Sequence, residues 1–275
     1  MQGEEQDKRT DATTEIKMKK DVTLIRMDRE IRETMQGEVA REYPLTILFN
    51  DEQLATLLCS PDDMENLAVG FLYSEGLVGT QGEIRDVSLD EERGIIRVAT
   101  DSTAMMDREL FLKRVITTGC GRGISFYNFA DLEHKQQKVE SDVKVSPAQI
   151  LDLMKAFQTR SEIYQKTHGV HGAALCDASG ILLFKEDIGR HNAIDKIFGH
   201  CLREGIVLAD RIIMTTGRIS SEILFKVAKR NIPILVSRST PTDLAVGLAE
   251  ELGITLVGYV RGGHMNVYAE AGRIG

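Results

Sequence analysis

Cys120 lies in the stretch TTGCGRGIS, residues 117–125, among Gly119, Gly121 and Gly123 and near Arg114 and Arg122. A thiol that only fills space sits in an apolar core, where it is inert. Three glycines predict instead an accessible loop with unusual backbone freedom. Nearby guanidinium groups favour the thiolate, the nucleophilic form. A reachable thiolate suits a carrier that collects a group at one site and delivers it at another, and suits a fixed catalytic triad less well. The plainer alternative is a thiol that is merely exposed. Cys59 and Cys201 sit in apolar surroundings and Cys176 falls within a predicted strand, so all three read as core. Four scattered cysteines with no C-x-x-C pair point neither to a disulfide framework nor to zinc. His168 and His171, in HGVH, read as a structural or hydrogen-bonding pair.

A second set of residues suits anions. Thr216, Gly217 and Arg218 follow IIMT; Ser237, Arg238, Ser239 and Thr240 follow or close PILV; Arg261, Gly262, Gly263 and His264 follow LVGYV. In layered α/β proteins ligands bind beyond the carboxyl ends of the strands. Two of these segments lead into helix N-termini, whose free amides attract anions. Arginine adds a bidentate fork for phosphate, and glycine permits close backbone approach. In EDIGRHNAIDK, Arg190 and His191 precede a helical run, and His191 and Asp195 lie one turn apart. One reading is a helix start in which Asp195 orients the imidazole. The other is that Arg190 and His191 touch a ligand or move a proton.

These residues need elements to hold them. Residues 1–36 are polar and of mixed charge and read as a loose tail. Residues 37–130 read as a small α+β domain ending in the cysteine loop. YPLTILFND is a strand, and SPDDMENLAVGFLYSEG a helix capped by Ser60, with Pro61 in its first turn and Gly76 at its end. Met64, Leu67, Ala68, Phe71 and Leu72 share one face of that helix. IRDVSLD and GIIRVAT pair as a hairpin, and LFLKRVITTG runs as a strand into the loop. Residues 131–145 read as a connection. From 146 to 275, a helix begun by Ser146 and Pro147 precedes short apolar strands that alternate with amphipathic helices. That is the pattern of a layered α/β domain with a largely parallel central sheet.

The chain has 275 residues, 42% hydrophobic and 28% charged, which suits a globular protein of about two domains. A net charge of −8 argues against a general nucleic-acid binder. No apolar run reaches the ~18 residues of a membrane span, and the N-terminus has no secretory core, so the expected place is the cytoplasm.

TTGCG, GVHGAAL, EDIGRHNAIDK, TTGRISSEILFK and PILVSRSTPTDLAVGLAEELGITLVGYVRGGHMNVY, with ENLAVGFLYSEG upstream, together resemble the FdhD family of formate dehydrogenase accessory sulfurtransferases. The motifs run in the same order over about residues 37–268. The resemblance implies a cytidine deaminase-like fold for the second domain. It implies a sulfurtransferase that accepts sulfur from a cysteine desulfurase as a persulfide on Cys120. The sulfur passes to the molybdenum or tungsten bis-molybdopterin guanine dinucleotide cofactor, which then serves formate dehydrogenase. The family's cofactor-binding stretch falls on Tyr259, Val260, Arg261, Gly262, Gly263 and His264; GDP is a partial mimic of that cofactor. Several relatives carry C-G-x-C in the loop, where this chain has Gly123, so a persulfide on one cysteine must suffice. A homodimer is the expected assembly. A zinc nucleobase deaminase would need H-x-E and P-C-x-x-C segments, and neither occurs. A non-catalytic chaperone for the cofactor or the dehydrogenase is the remaining alternative.

Overall fold

The computed structural model describes residues 17–101, 115–116, 124–125 and 138–275. Cys120, Arg114 and Arg122 lie outside the described residues. The short strands β7 (Val115–Ile116) and β8 (Ile124–Ser125) pair antiparallel on either side of the cysteine segment.

The first correction concerns the tail. β1 (Lys19–Met27) and β2 (Arg32–Ala40) form an antiparallel ribbon, closed by reciprocal backbone bonds between Asp28 and Ile31 of 2.9 and 3.2 Å. Val22 and Leu24 alternate with Asp21 and Thr23, a short period-two signal that the high overall polarity conceals.

A four-stranded sheet follows, in the order β4-β3-β6-β5. Its strands are β3 (Tyr43–Phe49), β4 (Glu52–Cys59), β5 (Ile84–Asp90) and β6 (Ile95–Thr100). Asn50 and Asp51, both at positive φ, turn β3 into β4, a residue pairing that suits such turns. β5 and β6 are the hairpin expected from sequence. Helix α1 (Met64–Glu75) buries Leu67, Ala68, Phe71 and Leu72 against Leu45, Ile47 and Ile96. It ends at Gly76 in the left-handed region, as expected, but it begins later than expected, after Asp63. Ser60 does not cap it. Its hydroxyl accepts from the Ile188 N–H at 3.1 Å, and its own N–H donates to Asp187 at 3.0 Å.

The second sheet has the order β10-β9-β11-β12-β13-β14. Its strands are β9 (His171–Asp177), β10 (Gly180–Asp187), β11 (Ile212–Thr215), β12 (Ile234–Ser237), β13 (Thr255–Arg261) and β14 (His264–Ala269). Only β11, β12 and β13 run parallel; antiparallel strands flank them on both sides. The sheet is therefore parallel at its centre and mixed as a whole. Helix α2 (Pro147–Gln158) starts at a capping box between Ser146 and Gln149. It covers one sheet face through Ile150, Met154 and Phe157 against Ala174, Met214 and Val236. A short helix α3 (Glu162–Thr167) follows, and α4 (Arg190–Arg203), α5 (Ser221–Ala228) and α6 (Asp243–Leu252) cover the other face. Residues 138–145 are built into this layered body. Val139 and Val145 are buried, and the Val139 N–H donates to Leu252 O at 2.9 Å.

The two sheets are joined where α1 crosses α4. A Cβ on Gly70 would stand 1.7 Å from Asp195 O, and one on Gly199 would stand 1.9 Å from Asn66 O. Only glycine allows so close an approach of two helix backbones. Asp195 lies under the crossing and accepts from Lys226 at 2.6 and 2.8 Å and from Ser74 Oγ at 2.6 Å. Burial pulls the Lys226 ammonium down, but Asp195 and Glu75 outweigh it and hold the group above its ordinary value.

Candidate functional site

The strand ends that sequence singled out meet at one edge of the six-stranded sheet. β11 and β12 point their carboxyl ends there, and β9 begins there because it runs antiparallel to β11, with Ala173 opposite Thr215. β10 ends at the same edge, with Asp187 opposite His171.

Two buried hydroxyls fix the loops that leave the edge. Thr215 Oγ1 accepts from the Gly217 N–H at 3.1 Å. Ser237 Oγ donates to Gly217 O at 2.6 Å and accepts from the Ser239 N–H at 2.9 Å. The Arg238 N–H donates to Thr215 O at 3.1 Å. Farther out, Ile219 and Pro241 form a parallel bridge. The two loops thus run side by side into α5 and α6, carrying exposed Arg218 and half-buried Arg238. Thr242 caps α6 with its side chain, whereas Ser220, at the N-cap of α5, makes no such bond.

The start of α4 is set by Asp187. Its Oδ1 accepts from the Gly189 N–H at 2.8 Å and from Asn192 Nδ2 at 2.9 Å; its Oδ2 meets Lys196 Nζ at 2.8 Å. This places Arg190 and His191 in the first turn of α4 beside the β11 loop. The stem of Arg190 lies over Gly217, where an added Cβ would come within 2.8 Å of the arginine Cβ. That contact, more than freedom of φ, is why glycine stands at 217.

Burial works against the charged form of both imidazoles at this edge. His171 Nδ1 lies 3.2 Å from Thr216 Oγ1, which already accepts from the Gly172 N–H and so has its own proton to give. Burial, then the Arg190 charge, lowers the pKa of His171. His191 is pushed down to about 3 by burial first, then by Lys226, Arg190 and His171. Its Nε2 is 3.7 Å from Glu222 Oε2, beyond hydrogen-bond reach. Asp195 does not orient this ring, since its oxygens are taken by Lys226 and Ser74. His168, the other half of HGVH, caps α3 and packs edge-on against Tyr164.

The remaining residues divide differently from the expectation. The Tyr259 N–H donates to Ser239 O at 2.8 Å, which ties β13 to the β12 loop, and Tyr259 itself sits at φ 56°. Arg261 stacks its guanidinium 3.6 Å from the centre of the Tyr259 ring. Val260 points away from the edge and is 1% exposed within the core that α2 covers, so its side chain is packing and only its backbone remains for a ligand. Gly262 and Gly263, at φ 60° and 78°, form the two-residue turn from β13 to β14, with Arg261 opposite His264. Turn geometry alone accounts for both glycines. Sequence reasoning singled out neither the locking role of Thr215 and Ser237 nor Asp187 as the residue that sets α4. The available signal was a hydroxyl closing each strand and an aspartate just before a helix.

The edge has the strand-end geometry at which layered α/β proteins take ligands. The particular family follows from comparison: the model of the FdhD/NarQ family matches residues 40–275, and the chain belongs to that family. It is 44% identical over 253 residues to the sulfur carrier protein FdhD of Bacillus subtilis, covering 90% of this chain and 96% of that one. It is 43% identical over 237 residues to the sulfur carrier protein FdhD of Bacillus pumilus, covering 86% and 90%. It is similar in structure to a Desulfotalea psychrophila protein assigned as a formate dehydrogenase accessory protein. There the TM-score is 0.76 at 29% identity, over 94% of this chain and 100% of the other. Among the described residues no helix is long and apolar enough to cross a membrane, and no group of three or more His, Cys, Asp or Glu gathers as a metal site.

Proposed function

We propose that the protein is a sulfurtransferase that carries sulfur as a persulfide on Cys120 and delivers it to a pterin–guanine dinucleotide cofactor of molybdenum or tungsten on behalf of formate dehydrogenase. The observation that carries this reading concerns the other thiols. Cys59, Cys176 and Cys201 are free and buried, and burial pushes each of them up to about 12. None can present a thiolate at neutral pH, so in a chain whose relatives are named sulfur carriers the task falls to Cys120.

The chemistry needs no outside oxidant. The Cys120 thiolate attacks the outer sulfur of a persulfide on a cysteine desulfurase, the donor S–S bond breaks, and the donor cysteine leaves as thiolate. At delivery an electron pair of the acceptor forms the new bond to the outer sulfur, and the electron pair of the broken S–S bond leaves on Cys120 Sγ as thiolate. Gly123 in place of a second loop cysteine is compatible with this cycle, because no resolving disulfide forms. The cofactor is substrate here. Arg190, Arg218 and Arg238 supply forks for its phosphates, neutral His191 adds a hydrogen-bonding ring without repelling them, and Tyr259 offers a face for a guanine. Arg261 and His264 lie at the outer end of the same edge, so they reach the ligand's periphery. The cytoplasm, with its reduced thiols, is where this cycle belongs.

Mass spectrometry after incubation with a desulfurase and cysteine tests the carrier. An added sulfur on Cys120, absent in Cys120→Ala, is expected; an unmodified thiol points to a non-catalytic chaperone. Calorimetric titration of GDP tests the edge. Arg218→Ala and Arg238→Ala should each weaken binding roughly ten- to a hundredfold, as for lost bonds to a charged group. Unchanged affinity in both removes the ligand from this edge.

A further inference from the structure

The two nitrogens of the His191 ring lie in unlike surroundings. Nε2 is buried without a hydrogen-bond partner and faces Glu222 Oε2 at 3.7 Å. Nδ1 is not enclosed in this way. The side chain is 24% exposed, and Nδ1, which makes no hydrogen bond among the described residues, lies on its open side. It is the nitrogen that a ligand can reach.

Groups from three elements face the ring: Arg190 from its own helix, Glu222 and Lys226 from α5, and His171 from β9. Burial, then Lys226, Arg190 and His171, disfavour the imidazolium. A neutral imidazole has one N–H and one lone pair, and its surroundings choose which nitrogen carries which. Lys226 gives its bonds to Asp195, and the ion pair recorded for Glu222 is with this ring. A lone pair on Nε2 would point at a carboxylate oxygen, whereas an N–H there points its positive end at it. The sign of that interaction favours the proton on Nε2, and a shift of roughly 0.7 Å closes the gap to hydrogen-bond length.

With its proton on Nε2, the ring offers a ligand only an acceptor at Nδ1. It cannot donate to an ionised phosphate, which itself only accepts, so phosphates are left to the arginines. Nδ1 suits an N–H of the ligand. We propose that Glu222 positions His191 with its proton on Nε2, and that Nδ1 selects the ligand by accepting from the N–H edge of an amino-oxo-pyrimidine ring, the chemistry shared by guanine and pterin. The identity of the ring rests on the cofactor reading above; the tautomer is a property of the empty protein and does not.

Long-range nitrogen–proton NMR spectra of the isotope-labelled full chain test this, with His191→Phe to assign the ring. Without ligand, Nε2 should carry the proton and Nδ1 should be bare. In Glu222→Met, similar in size but uncharged, the proton should move to Nδ1 and leave the Nε2 lone pair to Lys226. A wild-type ring protonated on Nδ1, or an unchanged tautomer in folded Glu222→Met, overturns the role of Glu222. GDP, hydroxymethylpterin and inorganic pyrophosphate are then added in turn. Nδ1 should shift without gaining a proton, with GDP if guanine is the ring it meets and with the pterin if pterin is, and should not respond to pyrophosphate. Calorimetry should show the responding ring compound bound roughly three- to tenfold more weakly by Glu222→Met, as for one lost hydrogen bond. Pyrophosphate affinity should hold or rise, since a negative charge has gone. A response to pyrophosphate, an equal loss for ring and pyrophosphate, or no response to either ring compound while GDP still binds overturns the selection and leaves the cofactor reading standing. If none of the three binds, the cofactor reading of this edge falls with it.

Discussion

His191 sits among positive charges that it cannot join. Burial, then the charges of Lys226 and Arg190, disfavours its protonated form, with its pKa pushed down to about 3 against an ordinary value of about 6.5. Between those two values the unfolded chain binds a proton that the folded chain refuses, so this residue's contribution to stability is complete above about pH 6.5 and shrinks as pH falls towards 3. The His191 ring resonance should therefore stay at its neutral position down to about pH 4 in NMR titrations. Titration near pH 6.5 would show the ring to be solvated and the site more open than described. This neutrality could not be read from EDIGRHNAIDK. Local spacing pairs His191 with Asp195, but Asp195 turns to Lys226, 31 positions away. The arginines and hydroxyls were legible because they close short apolar strands; the partners that position them come from distant segments.

At the scale of elements, the crossing of α1 and α4 is the tightest contact between the two sheets. Gly70→Ala drives a methyl into a backbone oxygen, which cannot change rotamer to escape. The helices must separate, at a cost of at least 1–3 kcal/mol as for other overpacking. A urea midpoint unchanged in Gly70→Ala would show that the crossing yields freely. Lys226→Met should cost about 3–5 kcal/mol, since it strands the Asp195 charge, and Lys226→Met with Asp195→Leu should recover much of that loss. Elements with an uninterrupted period were legible: α2 with its start at Ser146 and Pro147, α4, and the strands β9 to β14. The ribbon β1–β2 was not, because its many charges mask a two-residue alternation. The start of α1 was misplaced for another reason. Ser60 looks like a cap within SPDD, yet its hydroxyl is committed to Ile188, 128 positions on.

Across the whole molecule the two cores are one mechanical body. Leu202 of α4 packs into the core of the first sheet, and Arg203 reaches Glu65 at 2.9 Å and Asn66 at 3.0 Å. At the other end the Ser60 N–H donates to Asp187 just before α4, and Leu58 O accepts from Asn192 in the first turn of α4. Unfolding should therefore follow a single calorimetric transition with van't Hoff and calorimetric enthalpies in agreement. Two resolved transitions would show that the halves are separately stable. The α1–α4 crossing also sets an order of events at the ribosome. The surface of α1 around Gly70 is complete once that helix has emerged, yet the helix that covers it ends at Arg203. At roughly 5–20 residues per second, on the order of ten seconds pass between the two. For that interval the nascent chain displays a glycine-lined helical groove shaped for a segment not yet made. A message cut short before Arg203 would release a product with that groove permanently open, a natural target for the cell's chaperones and proteases.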